Sequence, residues 1–320
     1  MTEDGPEKIL VLVDRSSAAE TAARAAAAIA AGLAAPLIIL GVAGRSDEDA
    51  GLEAALAAAY EIARPGVPSV ESIRATGDLF EVVSRRTAET PTSLVVAGSG
   101  TRGAIGGTVW RLVRELTPPV LVTPPGAFSP KRALFCTGGE RFIEEGARFA
   151  ARVAAALGVT VTVFHVSPDL PGMYGDRLRE GEISPREFLA SNSRLARNVR
   201  RQIEIFRLAG AGAELRLAAG DVVRCVLDEV RRGQHDLLIV GSSPRRGAIQ
   251  TYMLGDRTRE IVGTAGRPFL VLRSQPPGFW TEMWRSLKEG AAGAGGDAGE
   301  PSSAGDGTAS SGDSPAPRRK

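Results

Sequence analysis

The sequence predicts two tandem α/β units, each a doubly wound parallel sheet, and three observations carry that prediction. The chain repeats itself: KILVLVDRSSAAETAARAAAAIAAGL (8–33) is answered by RALFCTGGERFIEEGARFAARVAAALG (132–158), and ATGDLFEVVSRRTAETPTSLVVAGSG (75–100) by AAGDVVRCVLDEVRRGQHDLLIVGSS (218–243). Within each copy, short apolar runs alternate with segments of helical period. Runs such as SLVVA and DLLIV are apolar at successive positions, as strands covered on both faces must be.

Taken in order, the strands of the first copy are expected at 8–13, 37–42, 70–75, 93–97 and 119–123. Those of the second are expected at 132–136, 160–166, 213–218, 236–240 and 268–272. Gly77 and Gly220 each stand 21 residues before a second glycine, Gly98 and Gly241. RGAI recurs at 102–105 and 246–249, and PPVLVT (118–123) corresponds to RPFLVL (267–272). The domains are therefore set at 7–125 and 131–274, joined by the linker PPGAFSPK (124–131), with 275–320 outside both.

Ser17 with Glu20 predicts a capping box for the first helix, and Ser184, Pro185 and Glu187 a stronger one for a helix near 185–208. That helix belongs to extra sequence: 63 residues separate Asp14 from Gly77, but 83 separate Thr137 from Gly220, an insertion near 168–200. Along it Phe188, Leu195, Val199, Ile203 and Phe206 form an apolar stripe, and Arg194, Arg197 and Arg201 a basic one. A solvated face explains the arginines more simply than an anion or partner site does.

Beyond Ser274, FWTEMWRSLKE (279–289) places Trp280, Met283, Trp284 and Leu287 at helical spacing, either as a flap on the protein's own surface or as a docking peptide for a partner or membrane interface. Residues 289–320 are rich in Gly, Ala, Ser, Asp and Pro, a composition that predicts a disordered tail.

With 39 basic and 37 acidic residues, the chain has no charge excess that would draw nucleic acid. The polar start MTEDGPEK is unlike a signal peptide and no apolar stretch reaches membrane-spanning length, so the expected location is cytoplasmic, with no transmembrane segment. Cys136 and Cys225 read as small buried hydrophobes rather than a reactive pair. Two histidines, His165 and His235, are too few for a His-rich metal site or a Ser-His-Asp triad in each copy, and both read as structural. TGGERF (137–142) has Arg141 and Phe142 where a pyrophosphate-binding S-G-G-x-D-S loop carries Asp and Ser, so its glycines are assigned to a close strand-to-helix turn.

One stretch invites a ligand. GSGTRGAIGGT (98–108) follows an apolar strand and leads into a helix, the order in which backbone N–H groups are presented to a phosphate; it contains no lysine and is not a Walker loop.

A strand ending in V-D-x-S, and a later V-x-G-S, glycine loop, helix and P-V-L-V, together resemble the universal stress protein family, and two such units resemble its tandem members. The resemblance covers about 8–274 and implies a Rossmann-like, adenine nucleotide alpha hydrolase-like fold. It also implies ATP or AMP as ligand, with Mg accompanying ATP. In nucleotide-binding members an Asp after strand one, the main chain after strand two and a G-x2-G-x9-G-[ST] loop hold the nucleotide. Carried over, these become Asp14, Val42, Gly98, Gly100, Gly106 or Gly107, and Thr108. Thr101 replaces the second loop glycine, and Gly98 to Pro119 spans only 21 residues against 27 from Gly241 to Pro268.

In the second copy Val166, Gly241 and Gly255 match, Arg245 and Arg246 are candidate phosphate clamps, Pro244 removes a donor, and Asp256 stands where Ser or Thr is expected. The strand-one Asp is matched there by Thr137. The resemblance implies a stress-response protein that is not an enzyme and whose N-terminal half takes nucleotide. The alternatives are a nucleotide-free scaffold acting through self-association and an unidentified protein partner, and a slow ATP hydrolase. In either case the two copies are expected to pair with each other as a pseudo-dimer.

Overall fold

The computed structural model describes residues 7–44, 50–101, 104–139, 144–167, 184–242 and 258–273. In the first repeat β1 (Lys8–Val13), α1 (Ser17–Leu33), β2 (Leu37–Ala43), α2 (Ala50–Ala63), β3 (Val70–Thr76), α3 (Leu79–Glu89) and β4 (Thr92–Gly98) alternate. A small hairpin, β5 (Gly100–Thr101) with β6 (Ala104–Ile105), then precedes α4 (Gly107–Glu115) and β7 (Val120–Thr123). The second repeat runs β8 (Arg132–Thr137), α5 (Glu144–Leu157), β9 (Thr160–Ser167), α6 (Pro185–Ala190), α7 (Arg194–Leu208), β10 (Ala213–Ala219), α8 (Val222–Arg232) and β11 (Leu237–Ser242). A helix α9 (258–265) and β12 (Phe269–Arg273) complete it. Every expected strand is present, its ends within two residues of the expectation.

The larger strands form one ten-stranded sheet in the order β10-β9-β8-β11-β12-β7-β4-β1-β2-β3. All its pairings are parallel except the central one, where β12 and β7 run antiparallel with Leu270 opposite Leu121. Each repeat contributes five strands, and the join lies at the middle of the sheet. One apolar cluster covers the face carrying α1, α2, α5, α6 and α7; a second covers the face carrying α3, α4, α8 and α9. Central strands are thereby covered on both sides, which is why SLVVA and DLLIV alternate so little with polar residues.

The repeats also meet through their helices. A Cβ at Gly32 of α1 would lie 2.6 Å from the Ala156 Cβ of α5, so these two helices approach as closely as glycine against alanine allows. On the opposite face the Arg259 guanidinium lies over the Trp110 ring at 5.7 Å, linking α9 to α4. The linker is held as well: Thr21 Oγ1 donates to the Gly126 carbonyl (2.7 Å) and accepts from its N–H (3.1 Å), and the Asp236 carboxylate accepts from the N–H groups of Lys131 and Arg132. The expected pairing of the two copies is thus made within the chain.

Two local expectations change. Ser17 is the first residue of α1 rather than its cap; Ser16 is the N-cap, no side chain caps the helix, and Glu20 turns outward to Arg24 (2.6 Å). The helix expected near 185–208 is two helices. The capping box of Ser184 and Glu187 forms, but α6 stops at Ala190, and Ser193 caps α7 afresh by accepting from the Ala196 N–H at 3.1 Å. A second N-cap residue within the segment restarts the helix on a new axis. The apolar stripe does face the core: Phe188, Val199, Ile203 and Phe206 are buried and Leu195 packs against them.

Candidate functional site

The site expected in the first repeat is assembled by strand register. Val13 lies opposite Gly41, which sets Asp14 level with Val42 of β2. On the other side Val11 lies opposite Val96, which sets Asp14 level with Ser99. These are the carboxyl ends of three adjacent parallel strands, at the point where the chain order reverses between β4 and β1. Leu10, Leu12 and Val42 belong to the cluster under α3 and α4, so alternation directs Asp14 to the same face as α4.

Asp14 is exposed, and its Oδ1 accepts from the Ser16 N–H at 2.9 Å, closing the turn into α1. The Ser16 hydroxyl oxygen is shut off from solvent and has no hydrogen-bond partner among the described residues. Ser16 and Ser99 are the serines of the V-D-x-S and V-x-G-S motifs, to which the sequence assigned no role; chain proximity puts Ser16 beside Asp14, and register adds Ser99. Ser99 donates its N–H to the Thr123 carbonyl (2.9 Å), anchoring the loop start to β7.

The glycines of the loop divide into two kinds. A Cβ at Gly98 would lie 2.7 Å from Ala18 Cβ and 2.9 Å from its carbonyl carbon, so Gly98 is required for β4 to pass α1, whatever occupies the site. Gly100 has φ +76, a left-handed conformation suited to the tight β5–β6 hairpin. That hairpin absorbs the shortened loop.

Gly106 and Gly107 differ. They are exposed, and a Cβ at either would meet nothing within 4 Å. Gly106 is the N-cap of α4 with an ordinary φ of −59, and neither conformation nor packing demands glycine there. The cap brings no side chain, so the N–H groups of Gly107, Thr108 and Val109 have no partner within the helix. Thr108 is exposed beside them.

The second repeat is built differently at the corresponding place. Ile239 pairs with Phe135 as Val96 pairs with Val11, and Thr137 lies opposite His165 as Val13 lies opposite Gly41. Register therefore puts Gly138, not Thr137, at the position of Asp14, which corrects the sequence alignment and leaves no carboxylate there. Thr137 is buried, and its Oγ1 accepts from the Gly139 N–H at 2.9 Å. Of the expected close turn the structure describes the start: Gly139 has φ +74, and a Cβ there would overlap Leu195 Cδ1. Asn198 Nδ2 donates to the Gly139 carbonyl at 2.9 Å, fastening α7 onto the loop.

His165 takes the position of Gly41. Its Nδ1 donates to the Thr137 carbonyl at 3.0 Å, its ring stacks on Phe188, and burial holds its pKa below the usual histidine value. Val166 is the counterpart of Val42 and is half-buried, and Gly241 is the last residue but one of β11. Arg245, Arg246 and Gly255, with Pro244 and Asp256, lie outside the described residues, as do the 279–289 segment and the tail.

His235 is buried, with Nε2 3.2 Å from Glu229 Oε1. Both cysteines are free. Desolvation pushes the Cys136 thiol up to about 12 and raises that of Cys225, the opposite of what a nucleophile needs. Among the described residues no group of His, Cys, Asp and Glu has the arrangement of a metal site, and no helix is long and apolar enough to cross a membrane.

The universal stress protein family matches this chain twice, over residues 6–124 and 130–273. The chain belongs to the universal stress protein family. No curated protein matches it. Among solved structures, a Pseudomonas aeruginosa PAO1 protein described as functionally unknown shares its fold at TM-score 0.59 and 18% identity, over 91% of this chain and 98% of the other. A universal stress protein from Archaeoglobus fulgidus DSM 4304 does so at TM-score 0.58 and 15% identity, over 83% and 96%. A universal stress protein solved in complex with cAMP aligns to 46% of this chain and all of its own, at 17% identity and TM-score 0.37, too slight a likeness to bear on ligand choice. In this tandem universal stress protein the two repeats keep the family fold and diverge at the strand ends.

Proposed function

We propose that this chain is a stress-response protein whose N-terminal repeat binds ATP or AMP as a regulatory ligand rather than a substrate. The observation that carries the reading is the pair Gly106 and Gly107: their side-chain space is open, and the fold's own geometry asks for glycine at neither. A phosphate seated on the first-turn N–H groups of α4 would use that space and satisfy those donors. Asp14 stands on the same sheet face for the ribose hydroxyls, Val42 frames the base, and the unpartnered Ser16 hydroxyl adds a polar contact. Mg enters this reading only with the phosphates of ATP. The second repeat, with Gly138 in place of the carboxylate, is read as structural.

The alternative, a nucleotide-free scaffold, is favoured by the β5–β6 pairing, in which the shortened loop bonds to itself at Gly100–Ile105 and Thr101–Ala104. Chromatography of the denatured protein and calorimetric titration with ATP and AMP decide between them. Under the nucleotide reading, wild type releases or binds one equivalent of nucleotide, Asp14→Ala loses binding, and Gly107→Val weakens it by crowding the helix end while folding normally by circular dichroism. No released nucleotide and no heat at about millimolar ligand would sink it. Sustained phosphate release with Mg and ATP would instead mark a slow hydrolase.

A further inference from the structure

The two repeats act as internal controls for one another, and one helix departs from its counterpart in the chemistry of its exposed face. α2 and α7 occupy the same place, each leading into the third strand of its repeat, and a shift of 143 residues superposes Val70 on Ala213 and Gly77 on Gly220. Under that shift the burial of the two helices agrees closely: Leu56, Ala59 and Ala63 are buried, as are Val199, Gln202 and Phe206. The exposed positions carry different chemistry. Arg194, Arg197, Arg200 and Arg201 are exposed in α7, where α2 has Gly51, Ala54, Ala57 and Ala58, also exposed. The corresponding helix of the first repeat thus stands without these arginines.

These four arginines line an open groove of about 770 Å³ against α7, together with Asn198, Glu204 and Glu144 of α5. Arg201 is held by Glu144 at 2.8 Å, Arg200 by the Ser191 carbonyl at 3.4 Å, and Arg197 by the Asn192 carbonyl. Carbonyl contacts orient the guanidinium groups without neutralising them. Among the described residues of the lining, four guanidinium groups stand against two carboxylates.

We propose that this groove docks an acidic segment of a protein partner. Charge complementarity selects an anion, and planar guanidinium groups suit carboxylates in bidentate geometry. The two glutamates select among anions: a continuous phosphodiester backbone would run against Glu144 and Glu204, whereas spaced Asp and Glu side chains fit between them.

The test uses the full chain and a fluorescein-labelled Asp/Glu-rich peptide of about ten residues, long enough to span the ~22 Å of α7. Fluorescence anisotropy should show saturable binding at low salt that weakens at about 0.5 M salt. Arg194→Ala/Arg197→Ala/Arg200→Ala, which restores residues like those of α2 and leaves the Arg201–Glu144 pair intact, should bind about tenfold or more weaker with an unchanged melting temperature. The proposal is overturned by equal binding in the triple variant, by no peptide binding in wild type, or by tighter binding of single-stranded DNA or phosphatidylserine vesicles than of the peptide.

Discussion

At the scale of single residues, equivalent positions in the two repeats solve the same problem by different means. After the first strand the chain must turn sharply into a helix. The first repeat ties that turn with the Asp14 carboxylate on the Ser16 N–H, and the second with the Thr137 hydroxyl on the Gly139 N–H, one register position earlier. The first solution leaves a carboxylate at the surface and the second buries its oxygen. The next strand differs similarly, Gly41 being answered by His165. Because burial lowers the His165 pKa below its reference of 6.5, the unfolded chain takes up its proton at higher pH than the folded one does. Stability from this residue is therefore greatest above about pH 6.5 and falls as the pH drops from there toward the folded value. Denaturant unfolding between neutral pH and about pH 5 should show wild type losing more stability than His165→Gln. Parallel losses in the two proteins would refute this account.

At the scale of elements, the repeated glycine–aspartate pair shows what a short motif can encode. Gly77 and Gly220 have φ +140 and +129, and the residue after each is an N-cap. Asp78 accepts from the Glu81 N–H at 3.0 Å and Asp221 from the Arg224 N–H at 2.9 Å. Asp78→Ala and Asp221→Ala should each cost about 1 kcal/mol, measured by denaturant midpoint, and the costs should add because the sites share no contact. The two helix starts that departed from expectation show the complementary point. Ser17 with Glu20 has the capping pattern, yet Ser16 takes the cap because the Asp14 turn delivers the chain to the helix one residue sooner. A continuous apolar stripe from Phe188 to Phe206 concealed the break before Ser193, since both short helices bury the same face.

At the scale of the whole molecule, the antiparallel join of β7 and β12 turns two five-stranded sheets into one. The same arrangement packs α1 on α5 at Gly32 and Ala156. Gly32→Leu should drive a side chain into that contact and lower stability by about 1–3 kcal/mol. An unchanged denaturation midpoint would mean that the helix pair contributes little to holding the repeats together.

The repeat, the strands and their buried character were legible in the sequence because continuous apolar runs and recurring glycines are local signals. The family resemblance was legible for the same reason, and it singled out Asp14, directly after the first strand. Tertiary structure alone decided the rest. Register moved the counterpart of Asp14 from Thr137 to Gly138, because strand pairing counts residues from the neighbouring strand rather than from the motif. Packing separated Gly98, which α1 forces to be glycine, from Gly106 and Gly107, which nothing among the described residues forces. A glycine in a sequence carries no mark of its reason; only the atoms that a Cβ would meet reveal whether its space belongs to the protein or is open to a ligand.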